Sequence, residues 1–238
     1  MNTNLINRLL CAAVLAVGIV ALGLCIRSGF NKMANKDRKV TVKGLAEMEV
    51  AADKVTWPIV SKEIGNNLPE LYDKIAAKQE KIKKFLLDNG IKEDEILVNA
   101  PEVKDLEATD YYGSNERKYR YNITSILTVT SRNVDLVRSI IAQQGELLKE
   151  GIAIVEGGWD NPVSYEFVSF NDKKQPLMKE AIQNAEKTAE QFADNSKSKL
   201  GKIVYADQGQ FSIDDRDGNT PYIKKIRVVT TITYSLKD

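Results

Sequence analysis

The sequence predicts an α+β fold: a largely antiparallel sheet carrying two long helices and one shorter one, preceded by a single apolar helix. Three observations lead there. An uncharged run of eighteen residues, Leu9 to Ile26 (LLCAAVLAVGIVALGLCI), comes before any segment with strand or amphipathic character. Strand-like runs then outnumber helical ones, in the order β-β-α-β-β-α-β-α-β-β. Consecutive strands are joined mostly by short polar loops, which favours hairpins and an antiparallel sheet over alternating strand–helix–strand units.

The apolar run would be roughly 27 Å long as a helix at about 1.5 Å per residue, enough to cross a bilayer core. It is compatible with an uncleaved anchor, a cleaved signal peptide or a lipoprotein signal. Ala21 and Gly23 suit a signal peptidase, but the run continues through Leu24, Cys25 and Ile26, and Leu24 is a poor residue to precede a lipidated cysteine. The organisation is therefore a tail over 1–8, a membrane-spanning or signal segment over 9–26, a basic linker over 27–39 and a folded domain over 40–238.

Val40 to Ile64 holds two strand runs. Gly44 in the first marks a bulge or a close approach, and Pro58 in the second, unable to donate to a ladder, marks an edge or a bulge. Leu68, Leu71, Ile75, Ile82, Phe85 and Leu86 share one face of a long helix, with Asn66 or Asn67 as its cap and Asn89-Gly90 as its stop. Lys74, Lys78, Lys81 and Lys84 occupy the other face and read as solvated charge in preference to a phosphate site. Ile96 to Thr109 and Tyr119 to Ser131 read as a long hairpin. The sequon Asn122-Ile123-Thr124 falls inside its returning strand, which argues against modification.

A second helix, interrupted near Gly145, follows from Val134, and a strand is expected over Val163 to Phe170. The last helix, from Asn171 or Asp172 to Leu200 with Gly201 as its stop, carries Ala181, Ala185, Ala189 and Ala193 at intervals of four. Such a column lets a neighbouring backbone come close, so this helix should lie tightly on the sheet or on the first long helix. Strands over Ile203 to Phe211 and Tyr222 to Leu236 close the chain.

Composition excludes much chemistry. The chain has no histidine, and its two cysteines, Cys11 and Cys25, both lie in the apolar run. A Ser-His-Asp triad, a Cys-His dyad and a histidine-ligated metal are absent by inventory. Residues 40–238 hold 28 basic and 32 acidic residues, a net charge of −4, which leaves no electrostatic footprint for nucleic acid. The best carboxylate cluster is Asp214-Asp215-Arg216-Asp217-Gly218-Asn219. With Gly218 at the sixth position of a calcium loop, Ile213 and Lys224 fall where the end ligands belong, so a hairpin loop is the better account.

Four segments in order resemble the SIMPL-domain family of bacterial exported or membrane-anchored proteins. They are Val40-Thr41-Val42-Lys43-Gly44 with Ala52-Asp53-Lys54-Val55, Phe85 to Glu95, Glu180 to Gly201, and Arg227 to Leu236. Ala52 stands where the family has proline, and Val55 where it has alanine. The resemblance implies a two-part α+β domain, export across the inner membrane and, in some relatives, assembly into large rings. It implies no catalytic residue.

The expected function is a non-enzymatic, single-pass inner-membrane module facing the periplasm. It would be oligomeric as a ring or scaffold, tied to envelope or oxidative stress, and would need no cofactor or metal. Its partners would be the membrane, through 9–26, and copies of itself. The tyrosines of the hairpin, Tyr111, Tyr112, Tyr119 and Tyr121, are the candidate interface, since tyrosine is favoured at interfaces. A carboxylate-based enzyme or metal binder is one alternative. A cytoplasm-facing or monomeric binding module is the other, because five basic residues follow the apolar run and one precedes it.

Overall fold

The computed structural model describes residues 3–36, 38–108, 118–155 and 160–237, with the side chains of 3–11 and 31–36 left aside. In chain order the elements are α1 (Thr3–Lys36), β1 (Lys39–Ala51), β2 (Lys54–Gly65), α2 (Leu68–Asp88), a short 3-10 turn (Glu93–Glu95), β3 (Ile96–Val98), β4 (Glu102–Asp105) and β5 (Tyr121–Ser131). There follow α3 (Val134–Ala142), α4 (Gly145–Lys149), β6 (Ile154–Val155), β7 (Ser164–Glu166), α5 (Asn171–Asn195), β8 (Lys199–Asp215) and β9 (Ile223–Lys237). The mixed, antiparallel architecture expected from the sequence is present. The helix α1 runs on to Lys36, so most of the basic segment 27–39 is helical.

The strands form two sheets, not one: a three-stranded sheet in the order β1-β9-β8, and a six-stranded sheet built on β3-β5-β2-β6, with β4 also on β5 and β7 also on β2. The chain correspondingly divides into two compact units, 1–48 with 173–212 and 227–238, and 49–172 with 213–226.

In the first unit, α5 lies on the sheet through its alanine column. Ala181, Ala185, Ala189 and Ala193 are all buried, and Ala185 and Ala189 share a cluster with Val42, Ile232 and Tyr234. Gly44 is the counterpart on β1. A Cβ there would sit 1.9 Å from the Ala181 carbonyl oxygen and 2.6 Å from the Ala185 nitrogen, so only glycine admits the helix backbone this close. Of the two surfaces open to the alanine column, the sheet is the one it uses.

The helix ends earlier than Gly201. Ser198 N–H donates to Ala193 O and Lys197 N–H to Asp194 O, the paired bonds of a left-handed helix stop, with Lys197 at φ 53° in the position glycine usually takes. Gly201 belongs to β8, where a Cβ would meet Ser235 of β9.

The second unit has its own core. Val55, Trp57 and Ile59 of β2 face Ser131, Val129 and Leu127 of β5, and pack under Ile82 and Leu86 of α2 and Val137 and Ile140 of α3. The helix α2 stops as expected at Asn89-Gly90. Gly90 has φ +92°, its N–H donates to Leu87 O, and Ile91 N–H donates to Leu86 O. Ile91 and Leu86 are both buried in this core.

Pro58 sits in an interior strand. On one side it opposes Thr128 of β5, while on the other β7 pairs only with 54–56 and β6 only with 60–61. The missing N–H thus falls in the gap between two short partners, which is how a proline is accommodated away from an edge. Pro101 likewise divides the outgoing arm of the expected hairpin into β3 and β4, both antiparallel to β5. The strand expected over Val163 to Phe170 shortens to β7. Beyond it the Asp53 carboxylate accepts from Val168 N–H at 2.7 Å and Ser169 N–H at 2.9 Å, diverting the backbone from a ladder.

Candidate functional site

The second unit carries an apolar groove of about 370 Å³ lined by Leu68, Pro69, Tyr72, Asp73, Val103 and Ile123. Its walls follow from two periodicities. Leu71, Ile75, Ile82 and Leu86 form the buried stripe of α2. Leu68 and Tyr72, four apart, lie on the adjacent stripe and stay exposed. From the hairpin, Val103 opposes Ile123, and Ile123 is fully buried in a small cluster with Leu71 and Ile75. The groove is therefore an apolar trough on a firm floor, with Asp73 as its one charged lining residue.

The hairpin beside it is held in place by polar contacts. The Asn66 amide nitrogen donates to Lys118 O at 3.2 Å, and its oxygen accepts from Arg120 N–H at 2.9 Å. Asn66 thus clamps the start of β5 and caps no helix. Asn67 is the N-cap residue of α2 and makes no side-chain cap bond. The Arg120 guanidinium donates to Asp105 Oδ2 from Nη2 at 2.8 Å and from Nε at 3.1 Å, Nε also reaches Oδ1 at 3.2 Å, and the group stands 5.0 Å from the Tyr121 ring centre. That guanidinium, ahead of the opposing effect of burial, holds the Asp105 carboxyl below its usual range.

Of the four interface tyrosines expected from the sequence, Tyr121 packs half-buried against the Leu71, Ile75 and Ile123 cluster, and Tyr119 lies under the Lys118 ammonium at 5.3 Å. Tyr111 and Tyr112 lie outside the described residues. The groove was not singled out by sequence reasoning, although the second apolar stripe of α2, Leu68 and Tyr72 beside a buried stripe, was there to be read.

The other charged groups considered have local partners. Lys74 pairs with Glu70 and Lys78 with Glu63, so these two members of the lysine row are committed within their own surface. In the acidic loop Asp215 pairs with Lys224. Asp217 accepts from the Thr220 hydroxyl, from Arg216 Nε at 3.0 Å and from the N–H groups of Asn219 and Thr220, which together lower its pKa to about 2. The loop is a hairpin turn closed by its own side chains. Asn122 of the sequon is in a strand flanked by β2 and β4, with its side-chain oxygen buried and unpaired among the described residues.

No curated protein matches the sequence. The SIMPL family, described as a protein of unknown function (DUF541), matches residues 40–233, from the second residue of β1 into β9. That span takes in both sheets, the Gly44 contact with α5, the Asp53 carboxylate and the Gly90 stop, and on this match the chain belongs to the SIMPL family.

Proposed function

We propose that this protein is a non-enzymatic membrane-anchored module whose folded domain faces the periplasm and self-associates into a ring or scaffold. The observation that carries the reading is an exposed apolar span, Ala12–Phe30, on the same chain as a domain that carries an open apolar groove. A groove of this kind takes an apolar side chain flanked by a cation for Asp73, and the segment just before β5 presents Lys118 beside the Tyr119 ring. The periplasmic side and a link to envelope or oxidative stress follow from the SIMPL resemblance alone.

A cytoplasm-facing reading has one observation in its favour, the five basic residues that follow the span against one before it. A reporter active only in the cytoplasm, fused after Asp238, separates the two, and its activity would reverse the orientation. Self-association is tested by light scattering on the full chain in detergent, corrected for bound detergent, at several concentrations. A discrete multimer is expected, and a monomer throughout would end the ring or scaffold reading.

A further inference from the structure

We propose that the free edge of β8 joins two copies of this chain, pairing antiparallel with itself about Val204. The proposal rests on the self-associating reading and adds the surface, the register and the symmetry of the contact.

The order β1-β9-β8 leaves two edges in the three-stranded sheet. An edge strand presents unpaired N–H and C=O groups, and folded proteins normally shield them with cover, charge, proline or brevity. The β1 edge is shielded. The helix α5 lies against Gly44, and Asn184 Nδ2 of that helix donates to the Leu45 carbonyl at 2.8 Å. The β8 edge is not. It is 17 residues long and contains no proline. Every residue from 202 to 208 is exposed. Its centre is apolar, with Ile203, Val204 and Tyr205 exposed to 54%, 52% and 59%. Successive side chains of a strand point to opposite faces, so both faces of this segment are open.

Among axes through the exposed apolar positions 203, 204 and 205, self-pairing fits best about Val204. Two antiparallel strands related by a twofold axis through the sheet place residues of the same parity opposite one another, so the axis passes through a residue position. Centred on Val204, Ile203 opposes Tyr205 on both sides of the axis, Lys202 opposes Ala206 and Gly201 opposes Asp207. Each copy thus supplies a β-branched partner for the other's aromatic, one of the pairings that stabilise sheets, and no like charges meet. Moving the axis to Tyr205 sets Ile203 against Asp207, and moving it to Ile203 sets Tyr205 against Gly201. The segment is complementary to itself, which points to a second copy as the occupant. A contact of this symmetry closes at two chains, so a larger ring needs a further, different surface.

The test uses the full chain in detergent with Cys11→Ser and Cys25→Ser, so that an introduced thiol is the sole one. Val204→Cys places two sulfurs across the axis, where facing Cα atoms lie about 4.5–5.5 Å apart, within disulfide range. Mild oxidation is expected to convert most of it to a covalent dimer. Gln210→Cys, far from its copy in this register, should remain mostly uncrosslinked. Ile203→Lys combined with Tyr205→Lys, both at exposed positions, should at least halve the mass from light scattering while leaving the thermal transition in place.

Equal crosslinking at 204 and 210 would overturn the register. A multimer indifferent to the lysine pair and uncrosslinked at 204 would overturn the β8 contact and leave self-association standing on another surface. A wild-type chain that is monomeric throughout would remove both.

Discussion

Gly44 is the residue on which the packing of the first unit turns. Its absent side chain is replaced by the backbone of α5, and an added methyl would meet carbonyl and amide atoms that cannot rotate away. Overpacking of this kind costs typically 1–3 kcal/mol, and here the clash is with backbone. Gly44→Ala is expected to destabilise the protein by about 3 kcal/mol, measured by urea unfolding; a change under about 0.5 kcal/mol would mean that helix and strand are not in contact. Asp53 and Asp217 are two of the carboxylates whose pKa the fold lowers. For Asp53 burial pushes the pKa up, but hydrogen bonds from the Ser169 side chain and from the Val168 and Ser169 N–H groups outweigh it, so the net shift is downward. Asp217 is lowered to about 2 chiefly by Thr220 and then Arg216. A depressed folded pKa contributes stability that is complete above the ordinary carboxylate value near 4 and is lost as pH falls through the folded value. Carboxyl resonances followed by NMR should therefore show Asp217 titrating near pH 2. A midpoint near 4 would mean that the turn is open in solution.

At the scale of elements, the two long helices stop by the same backbone bonds with different residues. Gly90 sits in the left-handed region without cost, whereas Lys197 occupies it at φ 53°, where a side chain is disfavoured by roughly 1–2 kcal/mol. Lys197→Gly should raise stability by up to about 1 kcal/mol, once the greater freedom of glycine in the unfolded chain is set against the relief. Gly90→Ala should lower it by about as much. Chemical unfolding of the pair gives opposite signs if both stops are as described, and a loss in both would mean that Lys197 is not strained. This difference also explains where the sequence was legible. A glycine following an apolar stripe announces a helix end, so the Asn89-Gly90 stop is readable. A lysine in the same role gives no such signal, and the next glycine, Gly201, draws the boundary too far. The alanine column marked the tight face of α5, and Gly44 a bulge or a close approach, because both signals are local in sequence, but that the two meet is seen only in the fold. The splitting of the strands into two sheets was hidden, because it depends on which distant segments pair. Pro58 shows the same limit, since its gap between β6 and β7 is visible only once both partners are placed. The groove depends on Val103 meeting α2 across the hairpin, and pairing of that kind leaves no mark in either segment alone.

At the scale of the whole molecule, the helix α1 sets the environment in which everything else operates. Nine large apolar side chains between Val14 and Phe30 are each more than half exposed, and no part of the span is buried in the protein. A helix that is apolar all round is stable either inside a core or inside a bilayer, and the described structure offers this one no core. Burial of a large aliphatic or aromatic side chain is worth about 1.5–3 kcal/mol, so the nine together favour a lipid phase over water by more than about 10 kcal/mol. Neither salt nor alkali opposes an energy of that kind, because it is not electrostatic. The full chain should stay in the membrane pellet through a high-salt wash and an alkaline carbonate wash, and deletion of residues 9–26 should release the domain. Release of the intact chain by carbonate alone would mean that the span does not cross the bilayer. A mature chain shortened past Ala21 or Gly23 would assign the segment to export and leave the domain to reach the membrane, if it does, through its own surfaces. Retention would instead confine every copy to one plane, where a free strand edge meets its like at a far higher effective concentration than in solution.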